Sequence, residues 1–349
     1  MRAVLVEEFG KPAVIREVAE PVAPPGGAVV RVGATGLCRS DWHGWMGHDD
    51  TIALPHVPGH EFAGEVVAVD AAVTGWQVGA RVTAPFVCAC GRCAACARGD
   101  QQVCERQQQP GFTHWGSFAE YVVVHGADTN LVAVPDGMSY VAAAALGCRF
   151  ATAYRAVVAQ GAVRAGEWVA VHGCGGVGLS AVMVAVASGA RVVAVDPAPG
   201  ARELARRFGA AVCVDPGAAD GDTAAAVRAA TGGGAHLSLD ALGSPVTCAA
   251  SVAGLRSRGR HVQVGLLPAG GVAVPMDRVI AQELQILGSH GMAAHAYPGM
   301  LHQITSGALR PDLLVGDVIG LDEAPAALAA LSNGSPAGLT VILPRGPVG

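Results

Sequence analysis

The chain has 349 residues, 51% of them hydrophobic, which is enough for two packed domains and rules out a disordered chain. Only 15% are charged and the formal net charge is −5, so a nucleic-acid backbone meets no basic field. A mean hydropathy of +0.40 would suit a membrane protein, but the most apolar stretch, 169–190, carries His172 and a glycine cluster and lacks the roughly 18 uninterrupted apolar residues of a spanning helix.

Up to about residue 145 the chain reads as short β-rich runs, Ala28–Val32, Glu61–Val69, Arg81–Ala84 and Ala119–Val124, broken by Gly and Pro. That punctuation predicts an irregular, barrel-like β domain. From Glu167 the pattern changes to strand Trp168–His172, a glycine turn, helix Leu179–Ser188, strand Arg191–Val195, helix Ala201–Phe208 and strand Ala211–Val214. Helix Thr223–Ala230, strand His236–Asp240, helix Val246–Leu255 and strand His261–Leu266 continue it. Strands alternating with helices of about ten residues imply βαβ units on a parallel sheet. From Ile286 onward a helix near Pro298–Ser306 and a final strand Leu339–Leu343 are expected. The domain expectation is therefore a catalytic domain over 1–148, a nucleotide domain over 149–285, and a return to the first domain over 286–349.

The opening residues turn acidic at Glu7 and Glu8 before an apolar signal core forms, so the expected location is the cytoplasm. Ten cysteines in that compartment call for a metal or redox explanation. Cys90, Cys93, Cys96 and Cys104 are spaced C-x2-C-x2-C-x7-C, with Gly91 and Gly99 as turn residues. Four thiolates this close can close a tetrahedral shell around a structural zinc, over a lobe spanning 88–104. An iron–sulfur cluster is the alternative, and Cys88 is a spare thiol nearby.

Three further elements stand far apart: Cys38-Arg39-Ser40-Asp41-Trp42-His43, Gly59-His60-Glu61 and Leu146-Gly147-Cys148. Singly, each suits packing; jointly, and with the four-cysteine lobe, they carry a family pattern. Over nearly its whole length the sequence resembles the zinc-dependent alcohol dehydrogenases of the medium-chain dehydrogenase/reductase family. The resemblance implies an α/β fold with a GroES-like irregular β-barrel catalytic domain and a Rossmann domain, a doubly wound parallel sheet that binds the nucleotide. It also implies that Cys38, His60 and Cys148 bind a catalytic zinc, leaving a fourth position open. By the same resemblance Ser40 accepts the alcohol proton and His43 passes it outward by way of the cofactor ribose. Asp41 orients His60, Glu61 can swap onto the metal, and Arg39 contacts the cofactor pyrophosphate. Trp45 and Phe86 fall where relatives place pocket aromatics, with Trp115 nearby, and Cys148 as third ligand favours simple alcohols over polyols. His48, His56 and His114 read as loop histidines.

Gly173-Cys174-Gly175-Gly176-Val177-Gly178 is a G-x-G-x-x-G turn between a strand and a helix. Gly173 permits the tight turn, Gly175 lets the backbone approach a pyrophosphate, and Gly178 allows close packing of helix on strand. Asp196 ends the second strand, where a carboxylate holds both ribose hydroxyls of NAD and repels a 2′-phosphate. The expected function is hydride transfer between NAD and a small primary alcohol or aldehyde, with two Zn2+ per chain. A polyol, amino-alcohol or formaldehyde dehydrogenase is the alternative, and a non-enzymatic NAD- or zinc-binding protein a weaker one. The resemblance further implies a homodimer or homotetramer assembled through the nucleotide domain; the charge balance and the broken apolar stretch lead to the expectation of no nucleic-acid or membrane partner.

Overall fold

The computed structural model describes residues 1–218, 221–268, 270–334, 336 and 338–346. They fall into two compact units: Met1–Ala151 with Gly291–Thr305 and Pro311–Gly349, and Thr152–His290 with Ser306–Arg310. Among the described residues no helix is long and apolar enough to cross a membrane.

The first unit is built around strand Ala28–Leu37, which pairs antiparallel with Glu61–Val69, Tyr121–Val124 and Leu339–Leu343. This strand runs five residues beyond the expected Ala28–Val32. Gly33 reads as a breaker in sequence, but a shift in register between Val32 and Ala34 absorbs it and pairing resumes. Its register sets Gly36 opposite Glu61, so the end of one strand and the start of the other deliver Cys38 and His60 to the same edge of the sheet. Strand Val315–Gly320, which the sequence pattern did not reveal, joins the sheet parallel to Leu339–Leu343. Beneath the sheet, Val30, Val32, Phe62, Val66, Val82, Val122 and Val124 are buried together.

The second unit holds a six-stranded parallel sheet ordered Val212–Val214, Arg191–Val195, Trp168–His172, Ala235–Asp240, Leu255–Gln263, Gln285–Gly288. Counted along this unit the order is 3-2-1-4-5-6, the doubly wound arrangement whose strand order reverses beside the first strand. The fifth strand begins at Leu255, six residues before the expected His261, because the preceding helix stops at Ala253 with Gly254 as its cap. The sixth strand has only four residues and is largely exposed, so it carried no core pattern to read.

Candidate active site

Helix Arg39–Trp45 starts directly from the sheet edge, with Cys38 as N-cap and Asp41 as its third residue. Asp41 is buried, and its carboxylate accepts from three groups: Cys38 N at 2.8 Å, Gly59 N at 3.1 Å and His60 Nδ1 at 2.9 Å. The cap thus ties both strand ends to one carboxylate. It also fixes the His60 ring with Nδ1–H committed to Asp41, and His60 Nε2 is left buried without a hydrogen-bond partner.

Cys148 comes from a different local structure. Helix Tyr140–Ala144 widens into a π-type turn, Leu146–Phe150, where Phe150 N reaches back to Ala145 O at 3.4 Å. Such a bulge re-aims side chains, and it is common at functional sites. Donor atoms of Cys38, His60, Glu61 and Cys148 lie within 4.8 Å of one another. The Cys148 thiol hydrogen-bonds towards Cys38 and draws it well below the ordinary thiol range. The same contact, with burial, pushes Cys148 well above it. Two thiolates this close ionise together only beside a cation. Burial opposes charge on His60, but Asp41 outweighs it and holds the ring's pKa well above the usual value. A buried ring nitrogen without a partner, facing two thiols, fits a soft dication.

Glu61 is also buried, and sequence reasoning missed what holds it. Its Oε1 accepts Arg149 N at 2.7 Å and Arg149 Nε at 3.0 Å, and Oε2 accepts Nε at 2.8 Å and also Nη2. Burial pushes the Glu61 carboxyl up and Arg149 opposes it. All four contacts are donors, so the group is held as a carboxylate. Arg149 could have been suspected from sequence as the single charge in the apolar run 141–150, because a buried charge needs a partner.

Ser40 Oγ lies 3.8 Å from Cys38 Sγ, and His43 Nδ1 lies 3.0 Å from His48 Nδ1. Arg39 stacks on Trp42, 3.8 Å from the ring centroid, and donates to the Leu331 carbonyl. Phe86 lies edge-on to His60 with ring centroids 6.1 Å apart. Phe112, which the sequence did not single out, is closer at 5.2 Å. Trp45, expected as a pocket aromatic, is buried in a core cluster with Leu5, Val6, Val57 and Phe118, and its Nε1 donates to Lys11 O at 2.6 Å. The helix turns this large ring inward because Ala3–Val6 and Phe118 leave an apolar space there. Trp115 is 37% exposed, with Nε1 donating to Pro55 O at 3.0 Å. His56 and His114 are bonded to the carbonyls of Gly111 and Val123, as befits structural histidines.

Cys90, Cys93, Cys96 and Cys104 also converge within 4.8 Å. Cys93 Sγ lies 3.4 Å from Cys96 Sγ and 3.7 Å from Cys104 Sγ, close to the ~3.8 Å edge of a tetrahedron with ~2.3 Å zinc–sulfur bonds. A multi-iron cluster would hold its sulfurs farther apart. Backbone N–H groups of Cys90 and Arg106 each donate to Cys104 Sγ at 3.3 Å, and backbone bonds near Cys96 and Glu105 bring Cys93 down to about 6. Cys88 stands outside this set, its thiol pushed up to about 12 by burial.

In the second unit, helix Gly176–Ala187 opens on Gly175 with no side-chain cap, leaving N-terminal N–H groups for an anion. A Cβ at Gly178 would sit 1.7 Å from Gly173 O, whereas one at Gly175 would meet nothing within 4 Å. The first value is why helix and strand pack so closely, and the second is an open approach suited to a pyrophosphate. Asp196 accepts from Cys174 N at 2.7 Å and Ala198 N at 2.8 Å, which fixes its carboxylate beside the turn.

Known proteins carry the same two parts. The alcohol dehydrogenase GroES-like domain family matches residues 24–136, and the zinc-binding dehydrogenase family matches 176–306. The chain belongs to the zinc-dependent alcohol dehydrogenases of the medium-chain dehydrogenase/reductase family, and its cofactors are zinc and a nicotinamide dinucleotide. An alcohol dehydrogenase of Geobacillus stearothermophilus is 37% identical over 83% of this chain and 84% of its own length. One from Rhizobium meliloti is 36% identical over the same shares, 83% and 84%. The solved alcohol dehydrogenase TADH from Thermus sp. ATN1 is 33% identical, with a TM-score of 0.90 over 98% of this chain and 99% of that one.

Proposed function

We propose that this chain is an NAD-dependent alcohol dehydrogenase that interconverts small primary alcohols and aldehydes, with Cys38, His60 and Cys148 holding a catalytic zinc and the four lobe cysteines a structural one. The observation that carries it is the convergence of two thiols on a buried, unpartnered His60 Nε2. When bound, zinc supplies Lewis acidity that lowers the pKa of an alcohol hydroxyl or polarises a carbonyl.

The chain's own residues supply the rest. Asp41 keeps His60 in the tautomer that presents Nε2. Ser40 Oγ takes the hydroxyl proton and His43 carries it outward. Phe86 and Phe112 wall the site with apolar rings, which excludes water and disfavours charged substrates. Arg149 occupies both oxygens of Glu61, so Glu61 would have to break that pair before it could serve as a metal ligand.

Asp196 selects NAD by accepting from the ribose hydroxyls and repelling a 2′-phosphate. The nearby Arg202 offers the phosphate no counter-charge, because its Nη1 donates to the Asp196 and Pro197 carbonyls and its Nη2 pairs with Asp215 at 3.0 Å. Assembly as a homo-oligomer is supported by the strand Gln285–Gly288, which among the described residues ends the sheet, and by the exposure of Leu266 and Ile280. The cytoplasm is the compartment in which these thiols stay reduced.

Metal content measured together with NADH appearance on a panel of primary, secondary and polyol substrates tests the reading. About two zinc ions per chain and fastest NAD-linked oxidation of primary alcohols are expected. Fastest turnover of polyols would overturn the substrate class.

A further inference from the structure

His43 does not end the line of polar groups that starts at Ser40. It lies in helix Arg39–Trp45 and is half-buried, whereas His48, just past the helix, is exposed. The turn between them is closed by a main-chain bond from His48 N to His43 O at 3.0 Å. That closure brings the two imidazoles together, with centroids 5.3 Å apart and Nδ1 to Nδ1 at 3.0 Å. Trp42 packs edge-on against both rings, at 4.9 and 5.5 Å. Trp42 is itself pinned by Ser332 Oγ at 2.9 Å and by Arg39 across its face. The pairing is therefore positioned by the fold rather than left to a loose loop.

A bond between two imidazole nitrogens holds one proton: one ring donates and the other accepts. Two protonated rings cannot share it. The ionisable groups that bear on His43 are Arg39, His48 and Cys38. The helical segments packed most against the helix, Ala324–Ala330 and Leu331–Asn333, bring no charged side chain, while the loop bonded to its end at Trp45 carries Glu8 and Lys11, and Asp49 and Asp50 follow His48 in the chain. Burial and the Arg39 charge both disfavour a lasting imidazolium at His43, so a proton arriving there is readily given up.

We infer that His48 is the outer member of the proton exit path, taking from His43 the proton that alcohol oxidation releases and delivering it to bulk water. This rests on His43 being the inner carrier. The His43 Nδ1–H bond breaks and a His48 Nδ1–H bond forms. The His48 imidazolium then loses its Nε2 proton to water, and proton exchange through this exposed ring returns both His48 and His43 to their starting tautomers before the next turnover. No oxidation state changes in this step, because the electron pair has left with the hydride. In aldehyde reduction the same path runs inward. His48 acts through His43, so it is a positioning and relay residue.

The test compares the zinc-loaded wild-type enzyme with His48→Gln and His43→Gln in single-turnover stopped flow. NADH absorbance and a pH-indicator dye are recorded together at low buffer concentration. The wild-type proton signal should keep pace with NADH. In His48→Gln it should lag by about three- to tenfold, below the usual range for a direct acid–base group because water partly replaces an outer member. The lag should close as imidazole is added, with KM for the alcohol unchanged, which a merely structural role for His48 would not produce. A lag in His43→Gln alone, or a His48→Gln lag that imidazole does not relieve, overturns the role of His48. No lag in either variant overturns the reading of His43 as well.

Discussion

Replacing Arg149 with Leu should damage the protein far more than the loss of one surface charge would. Arg149 supplies Glu61 with one main-chain and three side-chain contacts, and both side chains are buried. The main-chain bond survives the substitution, but the buried carboxylate loses its counter-charge. Breaking a buried pair from one side costs about 3–5 kcal/mol. At roughly 2–4 °C per kcal/mol for a unit of this size, Tm should fall by about 6–20 °C. Removing the carboxylate as well removes the cause, so Arg149→Leu with Glu61→Gln should recover most of the loss. The assay is a double-mutant cycle on the zinc-loaded protein, by thermal and denaturant unfolding. A single Arg149→Leu variant within about 1 kcal/mol of wild type, or a double variant no better than the single, would refute the reasoning.

Other outcomes follow from individual side chains. His172 is buried with neither ring nitrogen bonded, and burial pulls it from 6.5 down to about 4. Its stabilising contribution is therefore complete above pH 6.5 and lost as pH falls towards 4, because the unfolded chain takes up a proton that the folded one refuses. About 2 kcal/mol should vanish between pH 7 and pH 5, and His172→Leu should flatten that part of a pH–stability curve; an unchanged slope would count against it. Trp45→Ala should cost about 3–5 kcal/mol by opening a core cavity while leaving the ranking of alcohols as it was; admission of bulkier alcohols would return Trp45 to the pocket. Asp196→Ser should weaken NAD by about tenfold relative to NADP through loss of the ribose bonds, read as the ratio of kcat/KM values.

Much of the nucleotide unit was legible because its physics is local. Strand Arg191–Val195 lies where the apolar run predicts it, and the glycine turn carries its own geometry. Strand Leu255–Gln263 was less readable, since Arg258 with a positive φ and Gly259 interrupt its alternation. The metal cluster was readable as a set of residue types, but the reason its members meet is not local. Gly36 opposite Glu61 and the π-type turn at 146–150 are long-range facts of sheet register and helix distortion. Trp45 shows the reverse limit. An aromatic beside a site motif suggests a pocket, yet only the packing of Val6, Val57 and Phe118 shows that it faces the core. Phe112 lay in the same glycine-flanked segment as Trp115, and nothing in the sequence says which of the two rings turns towards His60.

Crystallography of the zinc-loaded protein at the zinc absorption edge tests the central claim most directly. Two anomalous peaks per chain are predicted, one inside the four-cysteine lobe. The other should be bonded to Cys38 Sγ and Cys148 Sγ at about 2.3 Å and to His60 Nε2 at about 2.0–2.1 Å, with its fourth ligand not drawn from the protein and Glu61 still on Arg149. A single peak in the lobe, or a second one held by other side chains, contradicts the account.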